Sequence, residues 1–162
     1  MSLHWPQPDW KSVSPFPFTE ARRSFTGPAA AHAPVSIRYY RRPDGQLVAV
    51  ARFQEPSEGA PGQAHGGAIL TVLDEALGAA AWLAGHRVMT AKLTTEFRRV
   101  VPIGATLLVE TRITAVRHRL VFAAGELRGE GGTLFASAQG SFMTLSEAAF
   151  ARIFRRAQRP AA

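Results

Sequence analysis

The sequence predicts an α+β fold in which a long central helix is wrapped by a curved antiparallel β-sheet. The first observation is a run of small and apolar residues at positions 68–84. As a helix, this run would be apolar on nearly all sides, so other elements must cover most of its surface. The second is a series of later segments in which apolar and polar residues alternate, as in antiparallel strands with one covered face. Those segments are residues 87–98, 105–116, 120–128 and 133–145.

The segments before the helix predict an arm and a hairpin. Residues 1–34 are rich in proline and too aromatic for a free linker, so we expect an arm packed on the domain or on a partner subunit. Residues 35–40 and 47–53 read as strands and flank the turn residues 42–45, which predicts a β-hairpin. Residues 55–64 contain two prolines and two glycines and predict the loop that leads into the helix.

The helix boundaries and the last segment complete the predicted organisation. The helix begins at about Gly67 and ends near Ala84, where Gly85 is a typical C-terminal stop. A closing helix is predicted from Ser146, which would cap it. The chain therefore divides into an arm (1–34), a main domain (35–145) and a C-terminal helix and tail (146–162).

The first strand after the helix shows a clear alternation. Its positions Met89, Ala91, Leu93 and Phe97 are apolar, and polar residues, Thr90 among them, stand between them. The pattern predicts that the apolar side chains share the covered face and that Thr90 lies on the opposite, polar face.

Composition excludes several classes of protein. With 162 residues, 46% of them hydrophobic and 19% charged, the chain has the size and balance of one soluble globular domain. It has no cysteine, which excludes a disulfide framework, a thiolate metal site and a cysteine nucleophile. The N-terminal residues lack a signal peptide's basic and apolar regions, and Asp74 and Glu75 interrupt the apolar run. We therefore expect a cytoplasmic protein with no membrane partner.

The net charge of +7 admits three interpretations. Nucleic-acid binding is one, but the arginines are spread along the chain with no run longer than two. A general bias of the composition towards alanine, arginine and glycine is the second, and it needs no partner. The third is that a few arginines hold the phosphates of a nucleotide-bearing ligand. We expect no nucleic-acid partner.

The segment His65-Gly66-Gly67 at the predicted helix start carries the strongest indication of chemistry. Its glycines leave backbone N–H groups accessible at the positive end of the helix dipole. Asp74 and Glu75 follow among apolar residues. Burying a charged carboxylate there costs free energy, so its presence indicates a functional or structural role. Small neighbours on its helix face leave room for a substrate at Asp74, which we prefer as the working acid. A carboxylate satisfied by hydrogen bonds at an interface, or a helix merely started by two glycines, is the alternative.

His65 and Asp74 cannot meet within one chain. They are nine residues apart, which on a helix puts them about 13 Å apart along the axis and on nearly opposite faces. If both serve one reaction, the helix start of one subunit must face the acid of another across a two-fold axis. We therefore expect a homodimer or homotetramer with its site at the dimer interface.

The residues around the helix start resemble those of the hotdog-fold thioesterases of the PaaI-like branch. Residues 58–67, Glu-Gly-Ala-Pro-Gly-Gln-Ala-His-Gly-Gly, match the pattern E-G-x-P-G-x-x-H-G-G of members of the acyl-CoA thioesterase superfamily, and Asp74 follows at the matching distance. The resemblance continues through residues 89–93 and through a basic pair at 98–99, with Val100 where that family usually has proline. It covers roughly residues 35–145 and implies the hotdog fold.

The resemblance implies hydrolysis of acyl-CoA thioesters to free acid and CoA without a metal or organic cofactor. The N–H of Gly66 or Gly67 would polarise the thioester carbonyl, and His65 would orient the thioester. Asp74 of the neighbouring subunit would act as general base on water or as nucleophile, with Thr90 near the water. The residues implied for the CoA phosphates are Arg98 and Arg99, which Arg119 at the start of the next strand could join.

Two alternatives keep the fold and change the function. One is a hotdog hydratase or dehydratase that acts on the acyl chain of a thioester, for which the histidine and acid would be spaced differently. The other is a module that binds acyl-CoA without catalysis. The remaining histidines show no metal-ligand spacing, so we expect no metal site.

Overall fold

The computed structural model describes residues 4–17, 25–26 and 33–157. The parts of the predicted arm and tail at 1–3, 18–24, 27–32 and 158–162 lie outside the described residues. The strands are β1 (Lys11–Val13), β2 (Val35–Arg41), β3 (Leu47–Phe53), β4 (Val88–Phe97), β5 (Thr106–Arg117), β6 (Leu120–Arg128) and β7 (Leu134–Thr144), and the α-helices are α1 (Gly66–Leu83) and α2 (Glu147–Ala157).

The described strands form one seven-stranded antiparallel sheet in the order β1-β2-β3-β5-β6-β7-β4. The helix α1 contacts every strand from β2 to β7, so the sheet curves around it. The core lies between the sheet and the helix, where the burial of large apolar side chains is the main source of stability. Its largest fully buried side chains include Phe53, Phe142, Leu73, Leu77 and Leu127. This is the predicted α+β architecture, and it confirms the hotdog fold.

The helix α1 is long and apolar enough, by length and composition alone, to cross a membrane. The two acids Asp74 and Glu75 do not, by composition, rule out a membrane span, so that expectation from the sequence is wrong. In the fold, α1 is a core helix whose inner face is covered by the sheet, with Val72, Leu73 and Ala76 fully buried.

The predicted β-hairpin is present as β2 and β3. The chain reverses at residues 42–46. The Arg42 N–H donates to the carbonyl of Gln46, and the Gly45 N–H donates to the carbonyl of Arg42. Gly45 has a φ of +87°, which glycine adopts without steric cost. The Asp44 carboxylate accepts the Gln46 N–H at 2.9 Å, so the side chains of the turn also hold its shape.

A β-bulge interrupts β4 in its first half. Thr90 pairs with Phe142 of β7, but the next paired residue, Lys92, lies opposite Ser141. Ala91 is therefore an extra residue without a partner, and the alternation of side chains changes sides at that point.

The bulge makes the predicted faces of β4 partly wrong. Val88 is buried against the helix, so Thr90, two residues later, also faces the helix and not the polar side. Met89 faces away and is 54% exposed. After the bulge, Leu93 packs against the core and Phe97 lies beside the start of α1, so both share the helix side with Thr90.

The arm contributes a strand that the sequence pattern did not indicate. The short strand β1 pairs with β2 and extends the predicted element order by one strand at the N-terminus. Before it, Trp5 and Trp10 pack on the outer side of the sheet with Tyr40, Val48 and Leu108. The guanidinium of Arg42 lies 5.0 Å from the centre of the Trp10 ring, a cation–π contact that adds to this outer cluster.

The closing helix α2 begins one residue after its cap, as the sequence predicts. The Ser146 hydroxyl accepts the N–H of Ala149 at 3.2 Å, the bond expected of an N-cap serine. On α2, Phe150 packs against Trp82 of α1 with ring centres 5.8 Å apart. The helix therefore lies beside the C-terminal half of α1.

Candidate active site

The start of α1 has one free backbone donor, and it is not the one at Gly67. His65 is the N-cap, and its ring nitrogen Nδ1 accepts the Gly67 N–H at 2.8 Å. The N–H groups of Ala68 and Ile69 both donate to the His65 carbonyl. Among the described residues, the Gly66 N–H has no acceptor and lies exposed at the positive end of the helix.

The hydrogen bond to Gly67 also fixes the state of the His65 ring. Because the Nδ1 lone pair accepts the hydrogen bond from the Gly67 N–H, Nδ1 carries no proton, so the neutral ring holds its proton on Nε2. The exposed His65 side chain therefore presents an N–H donor, which suits an orienting role better than a basic one.

A tight loop before the helix fixes the position of His65. The Gly59 N–H donates to the Gln63 carbonyl at 2.8 Å, and the Glu58 carboxylate accepts the Gly62 N–H at 2.5 Å. A Cβ at Gly59 would lie 2.9 Å from the Cα of His65 and 3.2 Å from its ring, closer than side chains tolerate. Only glycine fits there without displacing His65.

Asp74 lies halfway along α1, at the edge of the face that the sheet leaves uncovered. The Thr90 hydroxyl donates to its Oδ1 at 2.7 Å, and this contact exists because the bulge turns Thr90 towards the helix. The Asp74 carboxylate is only partly buried, so its other oxygen is available to a ligand. The structure thus brings together two of the predicted site residues that the alternation pattern had separated.

Glu75 has partners that hold it in place. The hydroxyl of Thr26 donates to Glu75 Oε2 and that of Tyr39 donates to Oε1 at 3.1 Å. Burial raises the pKa of the Glu75 carboxyl, and the negative charge of Asp74 adds to the rise, while both hydroxyl donors oppose it. The two neighbouring acids therefore differ: Glu75 is tied to the arm and the sheet, whereas Asp74 faces the open side.

The helix start and Asp74 remain apart within one chain. The rise of an α-helix separates residue 65 from residue 74 by about 13 Å, and they point to opposite sides. His65 and Gly66 are exposed at one end, and Asp74 is bound to β4. If both act on the same reacting bond, one of them must come from a second copy of the chain.

Comparison with known proteins identifies the family of this chain. Residues 61–136 match the family model of the Thioesterase superfamily. The candidate esterase PA0474 of Pseudomonas aeruginosa is 35% identical over 100 residues, which span 60% of this chain and 74% of that protein. The chain belongs to the thioesterase superfamily. This confirms the resemblance seen around the helix start.

Two further proteins are similar to this chain. Acyl-coenzyme A thioesterase THEM4 of Xenopus laevis is 29% identical over 96 residues, 59% of this chain and 43% of that protein, so the chain spans less than half of that relative. The solved structure of the thioesterase superfamily protein RHA08564 superposes with a TM-score of 0.65 and 32% identity, covering 73% of this chain and 58% of that one.

The arginines expected to hold CoA do not lie together in this thioesterase-superfamily chain. Arg98 and Arg99 follow the end of β4, and both of their N–H groups donate to Phe135. Arg119 lies near Thr144, which pairs with the first residue of β4. The length of β4 therefore separates Arg119 from Arg98 and Arg99 by about 30 Å. Arg98 is also paired with Glu96 in an exposed ion pair on the surface.

Three features of the site were not foreseen from the sequence. Gly59 was noticed only as part of a motif, although its closeness to a bulky ring explains why glycine stands there. The partners of Glu75 come from the arm and from β2, far away in sequence, and no local pattern indicates them. The only hint of the bulge in the sequence is a conflict over Thr90. The alternation puts Thr90 on the polar face, whereas the resemblance puts it near the water that Asp74 activates.

Proposed function

We propose that this protein hydrolyses acyl-CoA thioesters to free acid and CoA, with Asp74 activating water. The observation that carries the proposal is the Asp74–Thr90 pair, a carboxylate oriented by a hydroxyl on the uncovered side of the central helix. Membership of the thioesterase superfamily and the name of the THEM4 relative support acyl-CoA as the substrate class.

The proposed reaction uses the helix start as an oxyanion hole. The thioester carbonyl oxygen accepts the free N–H of Gly66, which lowers the energy of the negative charge that develops there. The Nε2–H of His65 orients the thioester from the same side. Water attacks the carbonyl carbon while one of its protons passes to Asp74, and the tetrahedral intermediate then breaks its C–S bond as Asp74 returns that proton to the leaving sulfur. The products are a carboxylic acid and the CoA thiol.

The nucleophilic variant of the reaction uses the same residues. Asp74 would attack the carbonyl itself and form an anhydride while the CoA thiolate leaves, and water would then cleave the anhydride. Thr90 serves both routes, because its hydrogen bond leaves one oxygen of Asp74 directed to the substrate.

We propose a homodimer, or a tetramer built from such dimers, in which two chains share each site. In the described sheet β4 is an edge strand, and the apolar side chains around it are exposed: Met89 by 54%, Phe97 by 52% and Leu70 of α1 by 39%. Two such edges can pair antiparallel about a two-fold axis and continue the sheet. The helix start of one subunit would then approach Asp74 of the other.

The same pairing resolves the separation of the arginines. When β4 strands run antiparallel, the start of one lies beside the end of the other. Arg119 of one subunit then comes towards Arg98 and Arg99 of the other, and the three can share the phosphates of one CoA. Within one chain no such grouping forms.

The release of free thiol from a panel of acyl-CoAs tests the proposal. The panel should include short, long and aryl acyl groups, and a thiol reagent measures the CoA formed. Thiol release above the spontaneous rate supports hydrolysis. A change in the acyl chain with the thioester intact would identify a hydratase or dehydratase, and saturable binding without reaction would identify a binding module.

Replacing both Arg98 and Arg99 by alanine should raise the KM for acyl-CoA by about tenfold and change kcat less. The reason is that these residues bind a remote, unreacting part of the substrate. The matched control is an acyl thioester of a short thiol without the nucleotide, whose kcat/KM should not change. Equal losses on both substrates would mean that the arginines support the structure instead.

Replacing Thr90 by valine should lower kcat by about ten- to a hundredfold, because the Asp74 carboxylate loses the hydrogen bond that orients it. Valine has the same shape, so the strand and its bulge should persist. The control is Thr90→Ser, which keeps the hydroxyl and should recover most of the activity. Wild-type kcat in Thr90→Val would exclude an orienting role.

A further inference from the structure

We propose that Glu75 is a positioning residue that holds Thr26 of the N-terminal arm against α1, and that Thr26 and Phe16 thereby form the wall of the acyl pocket opposite Asp74. The inference deepens the proposed function and rests on it, because it names what limits the acyl group at that site.

The Glu75 carboxylate joins three elements of the fold. One oxygen accepts the hydroxyl of Tyr39 from β2, and the other accepts the hydroxyl of Thr26 from the arm. Thr26 is 5% exposed and Tyr39 is 8% exposed, while Glu75 is half-buried, so both hydrogen bonds are partly shielded from solvent. A partly buried carboxylate that loses a donor is less well satisfied, so breaking the hydrogen bond to Thr26 has a free-energy cost.

A second contact holds the arm two turns further along the helix. Phe16 of the arm packs edge-on against Tyr39, with ring centres 6.1 Å apart, and against Trp82 of α1 at 6.0 Å. Trp82 lies seven residues after Glu75 and therefore on the same side of the helix. The arm thus contacts α1 through an ionic hydrogen bond at one point and through aromatic packing at the other.

These contacts lie across the uncovered face of α1 from Asp74. Consecutive residues of a helix point about 100° apart. Asp74 meets β4 through Thr90, and Glu75 meets β2 through Tyr39. In the sheet, β4 is one edge strand and β2 lies next to the other edge strand, β1. The curved sheet does not close around α1, and the gap between its two edges lies between Asp74 and Glu75.

In this proposal the acyl chain that reaches Asp74 lies in this gap. One side of the gap is β4, and the other is the flank of α1 to which Thr26 and Phe16 are bound. Trp82, packed between Phe16 and Phe150, closes the end of the gap nearest the C-terminus of α1. Thr26 and Phe16 therefore limit the length and width of the acyl group that fits.

Affinity for two non-hydrolysable thioethers of CoA, S-ethyl-CoA and S-decyl-CoA, tests the inference on the full chain. The dissociation constants are measured by titration calorimetry. Thr26→Val removes the donor while keeping the shape, and Glu75→Ala removes the acceptor. In both variants the affinity for S-decyl-CoA relative to S-ethyl-CoA should rise by about tenfold, because the arm no longer closes the gap.

The conservative variants Thr26→Ser and Glu75→Gln keep a hydrogen bond between arm and helix and should restore the wild-type ratio to within about twofold. An unchanged ratio in Thr26→Val and Glu75→Ala would overturn the inference, and so would an equal change in both affinities, which indicates a purely structural role. Length-dependent binding that responds to the arm, in a protein that releases no thiol, would support the pocket wall and refute hydrolysis.

Discussion

Replacing Asp74 by asparagine should lower kcat for acyl-CoA hydrolysis by two or more orders of magnitude. The amide can neither take a proton from water nor attack the carbonyl carbon, so either route to the acid is lost. The side chain keeps its shape, and its Oδ1 can still accept the Thr90 hydroxyl, so the helix and the pocket should persist. The measurement is thiol release at saturating acyl-CoA.

The matched control is Glu130→Gln, the same loss of a carboxylate in the exposed turn between β6 and β7. Its kcat should equal that of the wild type. If Asp74→Asn and the wild type have equal thermal stability, the loss of activity is due to the missing carboxylate and not to unfolding. If Asp74→Asn hydrolysed acyl-CoA at a near-normal rate, the acid in the reaction would have to be another residue.

Replacing Gly66 by proline should lower kcat by about 100- to 1000-fold, the usual effect of losing one donor of an oxyanion hole. Proline lacks the N–H but suits this position. Gly66 is the first residue of α1, where proline is well tolerated, and His65 before it has an extended backbone with ψ of 140°. Thiol release and the circular dichroism of the helix measure the two effects separately.

The control for this change is Gly66→Ala, which keeps the N–H and whose Cβ would meet only the ring of Phe97 at 3.7 Å. It should retain most of the activity. Mixing Gly66→Pro chains with Asp74→Asn chains should restore activity, because one site of each mixed dimer has neither defect. Mixed dimers that form and remain inactive would contradict the shared site.

The long elements of this fold were predictable because each has a strong local cause. The apolar run of α1 and the alternation in β5, β6 and β7 reflect burial on one or more faces, which the sequence records directly. The cap at Ser146 and the turn at Gly45 follow from the chemistry of single residues. The pairing of strands that are distant in sequence followed from the class of fold.

The details of the site depend on contacts that no local pattern contains. The bulge at Ala91 reverses the faces of β4 without changing its composition, so Thr90 was placed on the wrong side. The two glycines at the helix start look alike in the sequence, yet His65 occupies the N–H of Gly67 and leaves that of Gly66 free. Glu75 accepts hydrogen bonds from Thr26 of the arm and Tyr39 of β2, and strand β1 of the arm was also missed.

The short strand β1 has a consequence for how chains assemble. A sheet with two open edges can add further chains on both sides and grow into fibres, whereas a sheet with one open edge stops growing after a single pairing. With three residues, β1 covers part of the outer edge of β2 and offers little backbone of its own for pairing. In the proposed dimer, this partial cover leaves β4 as the longer open edge, which favours a closed pairing of two chains over open-ended growth.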